Sequence, residues 1–67
     1  MSRFKHLQGS MNKEQFQTMM KMTRYRRSTG NMLFGFLVRG IPYSETKGAS
    51  RQFVYKKLCE LEKKGLI

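Results

Sequence analysis

The sequence predicts an all-α fold, a small helical bundle of about four helices containing a helix-turn-helix, and three observations carry that expectation. Apolar residues recur at helical spacing in Phe16–Met20, Met32–Val38 and Val54–Leu61. Capping residues or proline precede four candidate helices, at Asn12, Ser28, Pro42 and Ser50, and Gly40, Gly48 and Gly65 stand where three of them would stop. With 67 residues there is room for one domain and no more.

A chain this small buries only about 60% of the surface its unfolded form exposes, so its core is thin. Cys59 is the single cysteine, which rules out an intrachain disulfide. Cys59 and His6 are isolated from each other and from any metal-ligand spacing, so no metal or other cofactor is expected. A homodimer is the expected source of further core. No apolar run approaches the roughly 20 residues of a membrane span, and no stretch resembles a secretory signal. A soluble, cytoplasmic protein is expected.

Residues 1–10, MSRFKHLQGS, show neither a helical nor a strand period. They read as a disordered arm or a cloning-derived segment, with Gln8-Gly9-Ser10 as the junction and Met11 as a native start. Residues 11–67 read as the helix-turn-helix domain. Asn12 opens the first helix as N-cap, with Gln15 placed for a capping box and Met11 and Phe16 for a hydrophobic staple. Phe16, Met19 and Met20 mark its buried face, and the helix should fade over Met22–Tyr25.

The connector Thr23–Thr29 carries Arg24, Arg26 and Arg27 around Tyr25. It reads either as a phosphate clamp, since guanidinium forks match phosphate geometry, or as a solvated loop. Ser28 can cap a second helix running to Arg39, with Gly40 past its end. Apolar nearly all round, this is the expected central helix, with Gly35 allowing close approach of another helix. A buried strand, LFGFLV, is the alternative there. Pro42 suits the first position of a short third helix, roughly Pro42–Lys47, which Gly48 would end. Ser50 caps a fourth, roughly Arg51–Lys64, stopped by Gly65. Its core stripe is Val54, Leu58 and Leu61; Gln52, Lys56, Cys59 and Lys63 face away, flanked by Tyr55 and Phe53.

Charge points to the partner. Fourteen Lys and Arg oppose four acids, for a net +10. From Thr23 to Lys57 eight cations stand against Glu45 alone. Such an excess on a compact domain indicates nucleic acid, whose phosphates attract it whatever their sequence; a solubilising surface or an anionic membrane surface would share the composition. A recognition helix needs an apolar anchoring side and long hydrogen-bonding side chains near its N-terminus. Arginine pairs with guanine O6/N7 and glutamine with adenine N6/N7. Ser50, Arg51, Gln52, Tyr55 and Lys56 are therefore the candidate base readers, and Arg24, Arg26, Arg27, Lys47 and Lys57 the candidate phosphate contacts. An ordinary amphipathic surface helix is the competing reading of Ser50–Lys64.

LVRGIPYSETKGASRQFVYKKL resembles the core of small plasmid repressors of the KorA (TrfB) type, in which LV-x-G leads into a helix-turn-helix whose second helix opens G-x-S-R-Q-x-V. The matching residues are Leu37, Val38, Gly40, Gly48, Ser50, Arg51, Gln52 and Val54, and NKEQFQ is similar to that family's T-E-x-Q-F opening. The interval from Gly40 to Gly48 is shorter than the family's by about one helical turn. Regulators of the PapB type share the layout less closely. Ser50, Val54, Leu58, Leu61, Glu62, Gly65, Leu66 and Ile67 also resemble the helix that precedes the wing in winged-helix regulators. These resemblances imply a dimeric repressor binding a palindromic operator.

The expected function is sequence-specific binding of double-stranded DNA as a transcriptional regulator. An RNA-binding or ribosome-associated module, and a small basic factor gripping an acidic protein, are the alternatives. Catalysis is not expected: there is no Asp, and the four Glu, His6 and Cys59 are scattered.

Overall fold

The computed structural model describes residues 3–46 and 48–67. Among these it holds one 3₁₀ turn, Lys5–Leu7, and three α-helices: α1 (Lys13–Thr23), α2 (Arg27–Leu37) and α3 (Arg51–Lys63). No strand occurs among the described residues. The all-helical class thus holds, with three α-helices in place of four. Both other helices pack against α2, the central element.

Local chemistry sets the helix starts. Asn12 Oδ1 accepts from Gln15 N at 2.8 Å and Gln15 Oε1 accepts from Asn12 N at 3.1 Å, closing the expected capping box on α1. Ser50 Oγ accepts from Phe53 N at 3.2 Å and caps α3. α2 starts two residues earlier than a Ser28 cap would place it, behind an extended Arg26, and has no side-chain cap. The α3 end is a Schellman turn at Gly65: Leu66 N donates to Leu61 O and Gly65 N to Glu62 O, both at 3.0 Å.

The strand alternative for LFGFLV does not hold. Those residues lie in or next to α2, where Met32, Leu33, Phe36 and Leu37 are buried. A helix satisfies its backbone groups internally, whereas a single strand here would have no neighbour to pair with. Phe16 and Met19 of α1 close the core from one side, and Val54, Leu58 and Leu61 of α3, each fully buried, close it from the other.

Disorder was the expectation for the first ten residues; residues 3–10 instead pack on the domain. Phe4 is fully buried in the common core. Helices leave their last carbonyls without intrahelical donors. In α2 those of Phe36 and Leu37 accept from Gly9 N and Met11 N, both at 2.9 Å. Gln8 Nε2 donates to Gly40 O at 2.7 Å. α2 therefore ends at Leu37, two residues short of Arg39, with Ile41 N turned back onto Gly35 O.

The short helix expected over Pro42–Lys47 is absent from 42–46, where a single turn closes through Glu45 N to Pro42 O at 2.8 Å. One turn fixes several dihedrals for one hydrogen bond and has no length over which to recover that loss. This segment lies against α2: a Cβ on Gly35 would come 2.9 Å from Thr46 Cγ2, so the close neighbour of Gly35 is a loop residue rather than a helix. Gly48, at φ +132°, passes so near Ser28 that a Cβ there would meet its carbonyl oxygen at 2.7 Å. That approach sets the start of α3 beside the start of α2.

Candidate nucleic-acid interface

The first two turns of α3 hold the predicted base readers together. Arg51, Gln52 and Lys56 are exposed on the side opposite Val54, Leu58 and Leu61. Ser50 uses its oxygen as cap acceptor, which leaves its O–H to donate outward. Tyr55 is 36% exposed and braced edge to face by Phe4, with centroids 5.1 Å apart. The anchored side and the polar side thus separate as the sequence pattern requires.

Tyr43 joins this group although it was not among the predicted readers. Its ring packs edge to face on Phe36 at 5.2 Å. With Arg51, Gln52, Tyr55 and Lys56 it lines a shallow cleft of about 430 Å³. The available signal was an aromatic one residue after Pro42 in the turn leading to a basic helix; its place beside Arg51 depends on tertiary packing.

Arg24, Arg26 and Arg27 are exposed around the α1–α2 junction, and Gly48 against Ser28 brings that region near the start of α3. The positive ends of two helices therefore lie close together, flanked by Arg26, Arg27 and Arg51. Arg24, the C-cap of α1, holds a left-handed conformation, φ 53°. Lys47 lies outside the described residues.

Lys57 behaves differently from the contact expected of it. Its Nζ lies 5.0 Å from the ring centroids of both Tyr25 and Phe53 and 3.8 Å from Glu60 Oε2. A cation between two aromatic faces and a carboxylate is held by the protein itself. Lys57 is thus a clamp between the connector and α3 and stands apart from the free basic face.

The acids of α3 are likewise engaged. Glu60 accepts from the Tyr25 hydroxyl and lies near Lys57 and Lys64. That hydrogen bond first, then the two lysines, hold its carboxyl below the usual glutamate range. Burial, followed by the hydrogen bond and charge of Glu60, pushes the Tyr25 hydroxyl well above the usual tyrosine range. Glu62 pairs with Arg3. Both carboxylates are answered by cations of their own chain, so they subtract little from the field over the N-terminal half of α3.

Among the described residues no group of three or more His, Cys, Asp or Glu is placed to hold a metal ion, and no helix is long and apolar enough to cross a membrane. Neither a family model, nor a curated protein, nor a solved structure matches the chain. The likeness to KorA-type repressors therefore stands on its quoted motif residues alone.

Proposed function

We propose that this chain is a sequence-specific, double-stranded-DNA-binding transcriptional regulator, a homodimeric repressor that reads a palindromic operator with α3 in the major groove. The observation that carries the reading is the separation of faces on α3. Arg51, Gln52, Tyr55 and Lys56 stand outward without a carboxylate among them, while Val54, Leu58 and Leu61 fix the helix to the core. Arg51 and Gln52 supply guanine and adenine recognition, and Arg24, Arg26 and Arg27 grip phosphates. In this reading the helix-turn-helix is an altered one, in which the single turn at 42–46 replaces the first helix and α2 braces the second. The domain measures 26 × 22 × 20 Å, so two copies side by side can set their α3 helices about 34 Å apart, one turn of DNA.

Selection from a random duplex pool followed by footprinting tests the proposal. A symmetric site is expected, with affinity falling steeply as salt rises because bound phosphates release counterions. Arg51→Ala and Gln52→Ala should each lose about 1–3 kcal/mol of discrimination at one base position. Arg26→Ala and Arg27→Ala should weaken binding to all sequences alike. Sequence preference that survives loss of both Arg51 and Gln52 would remove α3 as the reading helix.

A further inference from the structure

Two shallow clefts lie end to end across the start of α3, and Tyr43 and Arg51 line both. The cleft of about 430 Å³ continues to Gln52, Tyr55 and Lys56. The other, of about 310 Å³, continues to Lys5, Gln8, Pro42 and Ser44. Along the joined track the cations are Lys5, Arg51 and Lys56, and no described acid lines it. Its two tyrosines are set in advance: Phe36 braces Tyr43 and Phe4 braces Tyr55, and both phenylalanines are buried in the core. Groups held in place before a ligand arrives lose little freedom on binding.

A duplex stacks its bases on one another, so it offers a protein phosphates and base edges but not base faces. An unpaired strand offers phosphates and faces together, which is what a cationic track walled by aromatic rings accepts. We propose that this track binds a short segment of single-stranded DNA, with bases against Tyr43 and Tyr55 and phosphates on Lys5, Arg51 and Lys56. The choice of DNA rests on the duplex reading above. Because the track shares Arg51, Gln52 and Lys56 with that reading, single strand and duplex compete for one surface.

The test titrates the full chain, at low salt, with an oligothymidine of about eight nucleotides and with an abasic strand of the same length. The chain has three tyrosines and no tryptophan, so stacking on the unaltered chain registers as quenched tyrosine emission, and anisotropy of end-labelled strands follows binding in the unaltered chain and every variant alike. The base-bearing strand is expected to bind ~10-fold or more tighter than the abasic one and to be displaced by duplex. Tyr43→Leu with Tyr55→Leu should bring it down to the abasic level, while Tyr43→Phe with Tyr55→Phe should keep the preference. Equal binding of the two strands by the unaltered chain overturns the proposal without reference to any variant. So does a preference that persists in a folded Leu variant. Duplex binding without a preference for bases over abasic strand sinks this inference alone. Strand binding with that preference but no duplex binding supports it and sinks the duplex reading instead.

Discussion

Phe4 meets Tyr55 edge to face, ring centroids 5.1 Å apart and planes at 66°, so a residue from the first turn of the chain buttresses the outward face of its last helix. Phe4 is at the same time fully buried in the core shared by all three helices. One side chain thus serves both packing and the presentation of α3.

Phe4→Ala should destabilise the domain by about 3–5 kcal/mol, the usual range for emptying a core phenylalanine site. Urea unfolding followed by circular dichroism measures it. A loss below about 1 kcal/mol, the range of surface substitutions, would show that the N-terminal segment is not part of the fold.

Gly48→Ala tests the approach of the connector to α2. The added methyl would sit 2.7 Å from Ser28 O on a backbone at φ +132°, and both effects oppose folding. A loss of more than about 1 kcal/mol is expected, against the gain a Gly→Ala change brings where the backbone permits it. An unchanged thermal midpoint would contradict the close approach.

Arg24→Gly should move stability and binding in opposite directions. A non-glycine residue in the left-handed region carries a penalty of roughly 1–2 kcal/mol that glycine escapes, so the variant should melt higher by part of that amount. On the duplex reading it should also bind DNA more weakly at every sequence, because a phosphate-gripping guanidinium is gone. Thermal melts and gel shifts on the same preparation check the pair.

The Tyr25–Glu60 contact gives pH dependence at both ends. Glu60 has its folded-state pKa lowered, so its contribution is present above the ordinary glutamate value of about 4.5 and disappears as pH falls through the lower folded value. Tyr25 has its folded-state pKa raised, so its contribution is present below about 10 and is lost as pH rises beyond that. Tyr25→Phe should flatten the alkaline limb and weaken the acid one; Glu60→Gln should remove its own share of the acid limb. Stability profiles of the variants that superimpose on the original in both limbs would show that the contact does not form in solution.

What the sequence made legible is what neighbouring residues decide. The Asn12–Gln15 box, the Ser50 cap and the Val54, Leu58, Leu61 stripe depend on spacings of three to seven residues, and each stands in the structure. What it concealed depends on distant partners. Phe4 sits in a polar, aperiodic run, and its burial follows from the free carbonyls at the end of α2, which Gly9 and Met11 satisfy. Pro42 followed by five helix-compatible residues carries the same local pattern whether a helix or one turn forms; packing of Thr46 on Gly35 accompanies the turn. Lys57 is the same residue type as its neighbour Lys56, and the rings of Tyr25 and Phe53 with the Glu60 carboxylate engage it only in the folded chain. Tyr43 gained its place beside Arg51 in the same way.

Lys57, held between Tyr25 and Phe53, fastens the arginine-bearing connector to the helix that carries Arg51 and Gln52. The separation between the two groups of cations is then a fixed length of the fold, a ruler rather than a tether. On the duplex reading, a site whose groove width or bend does not match that length must deform to be held. Part of the selectivity would therefore be written in the stiffness of base steps that no side chain touches.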